Sequence, residues 1–304
     1  MKEGILLNKN QYGGIIPVML LILVTIIWGS GFIITDVAIK SGISPSLLVA
    51  FRFLIPGVLM TLFFWKELIE GDKTEYLYSI GAGLILAIAF VCQTYGISNT
   101  TPANNAFLTA TNVIMVPFLS AIIFKQPINL KTILCAFCCF AGAAILSWSP
   151  GIGITFNIGD QLTLCCAFMF AVHFAYLGKF AVLSKHTGLL CCIQLISTAV
   201  FSFIFFIAFE YRSFSMVVTS EVIWSVLYLA LFPTGFCYFV QTWAQKRISP
   251  SGTAIILSLE GFFGSLFSVL LGLDKATPTF IIGGAIILLS VIAVQIEPGL
   301  KSSN

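Results

Sequence analysis

Charge is what this sequence has least of. Of its 304 residues only 9% are charged and 59% are hydrophobic, whereas soluble domains carry about 25% charged residues. So little polar surface excludes a globular domain bathed in water on every side. The net charge of +3 and the want of any basic run argue against a nucleic-acid partner, since a phosphate backbone needs clustered Lys and Arg. His173 and His186 have no partners in metal-ligand spacing. Cys135 and Cys138 make a CxxC that no second pair accompanies. No metal and no cofactor are therefore expected. The nine cysteines all fall inside apolar runs and read as small buried hydrophobes, with a metal or disulfide role as the alternative. P-loop, HExxH and GxSxG patterns are missing, so neither an ATP site nor an enzyme is expected. The first apolar run, roughly 16–37, is too long for a signal-peptide core and precedes no small-x-small cleavage site. It reads as a retained first span.

What the sequence has in quantity is apolar runs of about 20 residues, the length of a membrane-crossing helix. Ten are expected, at about 16–38, 45–65, 76–97, 103–123, 130–148, 160–181, 188–209, 221–244, 252–272 and 279–296. No period-two barrel pattern appears, so the spans are helices that satisfy their own backbone. Basic residues orient them. With the N-terminus inside, the cytoplasmic segments hold eleven Lys and Arg; the outer loops hold three, Lys40, Arg212 and Lys275. Both termini are thus expected in the cytoplasm.

A polar phrase occurs twice. FVCQTYGISNTTP (90–102) and YFVQTWAQKRISP (238–250) align with a shift of 148, which lays Gln93 on Gln241, Thr94 on Thr242 and Pro102 on Pro250. The shift divides the chain into two halves of five spans, 1–148 and 160–297, with a connector at 149–159 and a tail at 298–304. Five is odd, so the second half enters from the opposite face. The fold class is then an all-α integral membrane protein with ten transmembrane helices in two inverted five-helix repeats, a common plan of secondary transporters.

Three further stretches carry a likeness: TIIWGSGFIITDVAIKSGISPSLLVAFRF (25–53), TTPANNAFLTATNVIMVPFLSAIIF (101–124) and AIILSLEGFFGSLFSVLLG (254–272). Together they resemble the EamA-type branch of the drug/metabolite transporter superfamily over nearly the whole chain. The resemblance implies two inverted repeats around a central cavity and export of small metabolites by alternating access. Four positions depart from the family pattern: Gln126 and Asp274 stand where Glu is frequent, Gly261 replaces a Pro, and His173 stands for a Trp.

Depth at about 1.5 Å per residue selects the candidate site. Glu260 lies eight residues past Gly252, about 12 Å in and close to the middle of a hydrocarbon layer about 30 Å thick. Asn112, Trp28 and His173 reach the same layer. A charged carboxylate at bilayer centre costs about 2.5 kcal/mol or more, so Glu260 should face the bundle interior or water. It is the candidate for taking up a proton during transport, or for gripping a cationic group, with a hydrogen-bonded structural acid as the alternative. His173 is a site residue or a satisfied core histidine. Arg52, about 10 Å from the outer face, either binds a substrate carboxylate or pairs with Asp36 or Glu260. Asn105, Thr109 and Asn112 fall on one helical stripe, a wet wall or a helix–helix contact. Gln93 and Gln241 are expected in the outer and inner closures. Tyr95 and Trp243 read as interfacial anchors.

The expected function is secondary transport of a small metabolite, an amino acid or related amine among the candidates, in the cell membrane. The partners are a small-molecule substrate, the bilayer and protons; the chain is a monomer or a homodimer. A membrane-embedded enzyme lacks a nucleophile or metal, and a sensor or scaffold usually adds a soluble domain. Neither alternative explains the doubling.

Overall fold

The structure, a computed structural model, describes residues 15–124, 129–146, 157–213, 218–270 and 277–295. Every regular element among them is helical. The positions of Gln126 and Asp274, the connector around Ser149–Gly151 and the tail at 298–304 lie outside the described residues.

Helix α1 (Ile15–Lys40) turns into α2 (Pro45–Phe63) through Gly42, whose φ of 103° is a left-handed conformation that glycine enters without steric cost. Pro45 opens α2 at the position where a helix lacks a use for the N–H. A short α3 (Trp65–Glu70) precedes α4 (Lys73–Asn99). Asp72 caps α4, accepting from the Thr74 and Glu75 N–H groups while Glu75 reaches back, a capping box. Then come α5 (Pro102–Ala110), α6 (Asn112–Phe124) and α7 (Leu130–Leu146). In the second half, α8 (Ile158–Leu183) starts from an Asn157–Asp160 capping box. After it run α9 (Thr187–Phe209), a 3-10 turn (Tyr211–Ser213), α10 (Ser220–Leu229), a π-helical segment (Ala230–Phe236) and α11 (Cys237–Gln245). The last helices are α12 (Pro250–Leu257), α13 (Leu259–Leu270) and α14 (Pro278–Gln295).

Among the described residues seven stretches are long and apolar enough to cross a bilayer, including 104–124 and 220–245, which take in two or more elements each. Leu130–Leu146 and Pro278–Val294 are apolar but shorter. Large side chains such as Phe203, Ile204 and Ile207 of α9 stay exposed, as they do when hydrocarbon is the solvent.

Three runs expected as single helices are interrupted. The run 103–123 breaks at Thr111 and the run 252–272 at Ser258. The two run starts match: Thr101 Oγ1 accepts from the Asn104 N–H, and Ser249 Oγ accepts from the Gly252 N–H, each followed by a proline. In the run 221–244 the π-helical segment carries Pro233, which has no N–H to give the ladder. A Cβ on Gly235 in this segment would lie 2.9 Å from Pro56 Cβ, so α2 presses on the wide turn.

The packing pairs α2 with α9 and α7 with α14; α4 lies against α8 and α9, and α1 against α10, α11 and α13. Two contacts need glycine. A Cβ on Gly29 would stand 2.7 Å from the Gly264 N, and one on Gly142 would stand 2.9 Å from the Gly283 O. Close helix approach through small residues is how membrane helices gain packing without a hydrophobic drive. From the other side, a Cβ on Gly264 would stand 3.1 Å from the Gly29 O. All nine cysteines are free thiols. Cys92 of α4 and Cys165 of α8 have their sulfurs 3.9 Å apart.

The molecule has two ends. Glu75 bonds to Ser184 and Glu67 to Gly188, which gathers α3, the start of α4 and the α8–α9 turn at one, the Glu75 end. Glu210 bonds to Ser46 and Tyr95, and Asp160 to Thr100 and Asn104, which marks the other, the Glu210 end.

Candidate functional site

A cavity with about 50 Å³ open to the centres of water molecules lies inside the bundle. That is room for several waters or a small solute in their place. Its wall includes Trp28, Arg52, Gln93, Asn112, Tyr238 and Glu260. Thr35 and Ile97, which also line it, lie near the last turns of α1 and α4, so the cavity extends toward the Glu210 end.

Glu260, in the first turn of α13 just past the Ser258 break, has no hydrogen-bond or ion partner among the described residues. Arg52 is 6% exposed. Its Nε donates to Thr234 Oγ1 at 2.7 Å, and its guanidinium carbon sits 4.6 Å from the Phe90 ring centroid, a cation–π arrangement. The terminal guanidinium nitrogens have no acceptor among the described residues. Arg52 forms no ion pair with Asp36, which takes Lys40 at 2.7 Å, and none with Glu260. Pro56 stands four residues on, where its ring disturbs the helix bond to the Arg52 carbonyl.

Trp28 joins the cavity to the π-helical segment. Its Nε1 donates to the Pro233 carbonyl at 2.6 Å, one of the groups that the wide turn releases. Tyr238 is the hub of the aromatic wall. Its ring centroid lies 5.4 Å from Trp28, 5.8 Å from Phe53, 6.0 Å from Phe90 and 6.2 Å from His173. With Phe170 and Phe174 it closes the cavity toward the Glu75 end.

The structure brings five of the expected residues to this cavity: Trp28, Arg52, Gln93, Asn112 and Glu260. Four others stand back from it. Asn105 is fully buried and donates to the Gln93 carbonyl at 3.2 Å and to Thr163 Oγ1 at 2.7 Å. Thr109 faces Gln93 Nε2 at 3.5 Å. His173 is fully buried behind Tyr238, its Nε2 3.3 Å from Gln194 Oε1. Gln241 donates to Gln245 Oε1 at 3.2 Å, and Gln245 donates to the Phe174 carbonyl at 3.0 Å. The sequence argument passed over Tyr238, Ser258, Phe170 and Phe174. Of these only Tyr238 left a trace: it opens the second polar phrase.

A model of the EamA-like transporter family matches residues 15–148 and again 157–295. An uncharacterized transporter of Archaeoglobus fulgidus is 32% identical over 277 residues, 91% of this chain and 85% of that protein. The uncharacterized transporter YetK of Bacillus subtilis is 27% identical over 281 residues, covering 88% of this chain and 80% of its own length. A crystal structure superposes with a TM-score of 0.75 at 18% identity, over 91% of this chain and 96% of the other, which speaks for the fold alone. With matches that take in both halves, a bundle of apolar helices and a cavity within it, the chain belongs to the EamA-like transporter family.

Proposed function

We propose that this protein is a secondary transporter that moves a small zwitterionic or amine metabolite through the cavity by alternating access. The single observation that carries the reading is the pair of opposite charges in one cavity: Arg52 and Glu260 both line it without an ion pair between them. Two charged groups withheld from water and from each other are costly. A ligand with a carboxylate for Arg52 and an ammonium for Glu260 satisfies both, and Trp28 and Tyr238 offer flat faces to its body. Export is the direction the family resemblance implies.

The wider reading is of ten spans in two inverted five-helix units, 1–148 and 160–297, in the cell membrane with both termini cytoplasmic. The two matches of one family model support the doubling. The matched breaks at Thr111 and Ser258 support it too. The packing also maps onto itself when the halves are exchanged, since α2 meets α9 and α7 meets α14. The Glu75 end is then cytoplasmic. In this state the cavity faces outward, Gln93 lies in its open half, and Gln241 belongs to the closed half with His173, Gln194 and Gln245. Asn105 and Thr109 act behind Gln93 by holding it. Glu260, without a hydrogen-bond or ion partner among the described residues, is the residue that takes up a proton when the ligand leaves.

A thermal-shift screen of purified protein with amino acids, amines, sugars and nucleosides tests the reading. The expected result is stabilisation by a zwitterion or amine, lost in Glu260→Gln and in Trp28→Ala while both variants keep the wild-type melting temperature without ligand. Stabilisation by sugars or nucleosides alone, or a shift that survives in both variants, contradicts it.

A further inference from the structure

Beyond the aromatic wall, the Glu75 end is fastened chiefly through one carboxylate. Glu75 accepts from Ser184 Oγ at 2.7 Å, the Lys185 N–H at 2.7 Å and the His186 N–H at 3.1 Å, and its second oxygen lies 3.0 Å from His186 Nδ1. All these groups belong to the α8–α9 turn, so the bond set ties the first half of the chain to the second. His186 Nε2 faces Glu70 of α3 at 3.7 Å. From the end of α11, Lys246 Nζ donates to the Ser184 carbonyl at 3.1 Å. Burial holds that ammonium below the ordinary lysine range, while Glu67 raises it, Arg247 lowers it and Glu75 raises it. The charged groups around His186 are thus Glu70 and Glu75, the adjoining Lys185, and beyond them Lys246, Arg247 and Glu67. Asp72 and Lys73 flank Glu75 at the start of α4.

The other end separates this clasp from ordinary capping. Helices α2 and α9 each send a carboxylate from just past their C-termini to the partner's first turn. Glu67 accepts from the Gly188 N–H at 2.7 Å and the Leu189 N–H at 3.3 Å, and Glu210 accepts from the Ser46 N–H at 3.1 Å. That matched pair is made at both ends at once, so it holds whichever way the cavity faces. The Glu75 clasp has no such twin among the described residues. The corresponding turn is Ser41–Ser44 at the Glu210 end, where the Ser41 and Gly42 N–H groups bond to the Val37 and Ile39 carbonyls. Among the described residues no carboxylate accepts from this turn, and Glu221, in the first turn of α10, stays exposed. The clasp is made at the closed end and not at the end toward which the cavity extends.

The geometry points to Glu75 and His186 as a proton-tightened lock on one end of the cavity, made while the cavity faces the Glu210 end and broken when it turns. The inference rests on the alternating-access reading above. Its sign follows from charge. Histidines change charge between about pH 5 and 8. An imidazolium between Glu70 and Glu75 gains an attraction that the neutral ring lacks, so protonation of the ring tightens the lock and loss of the proton loosens it.

Hydrogen exchange on the full chain in lipid nanodiscs, with no solute added, tests this. Removing the charge in Glu75→Gln should raise exchange over 184–190 on the order of tenfold, the scale of a lost charge-assisted bond. It should at the same time lower exchange over 28–44 and 93–105, where the opposite end closes. Wild-type protein moved from about pH 6 to about pH 8, with intrinsic rates divided out, should shift in the same two directions, and His186→Gln should abolish that pH response. A rise confined to 184–190 with the far end unchanged would overturn the lock, as would a wild type indifferent to pH. The pH comparison needs no substitution, so it decides the matter even if Glu75→Gln does not fold. Solute binding plays no part in the readout, so failure here leaves the transport reading standing, and failure of the solute screen leaves this one.

Discussion

Glu260 and Arg52 line one cavity with different degrees of freedom. Arg52 is held by Thr234 and by the Phe90 face, so its position is fixed while its terminal nitrogens stay without an acceptor among the described residues. Arg52→Lys replaces a planar fork with a point charge. It should weaken binding of a carboxylate-bearing ligand roughly tenfold, the scale of one charge-assisted bond, as read by isothermal titration on the screen's hit. The same variant should bind an amine without a carboxylate as well as wild type does. Depth along the helices placed Trp28, Asn112 and Glu260 in the layer of the cavity they line, because position in a span is legible from its ends, but it also selected His173, which packs against Tyr238 outside the cavity lining. It did not separate Asn105 and Thr109 from the cavity. Their stripe with Asn112 assumed an unbroken helix, and the turn at Thr111, whose N–H bonds to Leu108 and Thr109 carbonyls, ends that regular spacing. Tyr238 and Phe174 were missed because an aromatic ring in an apolar run reads the same whether it faces a cavity, a helix or lipid.

Among the elements, the interruptions matter more than the regular turns. A π-helical turn is undetectable as a pattern of apolar residues, and only Pro233 hinted at it. Yet it exposes the carbonyl that Trp28 binds and places Thr234 against Arg52. Pro233→Ala restores an N–H and favours an ordinary helix, which withdraws that carbonyl. The expected outcome is loss of the ligand-induced thermal shift with the unliganded melting temperature kept or raised. Glycine positions give a contrasting pair. Gly29→Val drives a branched side chain into the Gly264 backbone, 2.7 Å from its Cβ position, and should cost about 1–3 kcal/mol in detergent unfolding. Gly31→Ala meets nothing within 4 Å and should leave stability unchanged, although Gly31 lines the cavity.

At the scale of the molecule, the proposed symmetry ties the halves together. The doubled polar phrase lies in a chain that one family model matches twice, and an all-helical chain of apolar spans was readable because hydrophobic length survives in sequence. The end-to-end carboxylates Glu67 and Glu210 were not, since neither lies in a repeated phrase and their pairing appears only when α2 and α9 lie side by side. The unequal bonding at the two ends was not readable either, for it appears only when the α8–α9 turn meets the start of α4 in space. Solute counterflow in proteoliposomes, using the zwitterion or amine found by thermal shift, tests the central claim most directly. Wild-type protein should exchange labelled solute across the bilayer in a pH-dependent manner. Glu260→Gln should lose the pH dependence, and Trp28→Ala should lose exchange. Exchange that continues unchanged at every pH in both variants would contradict a transport path through this cavity.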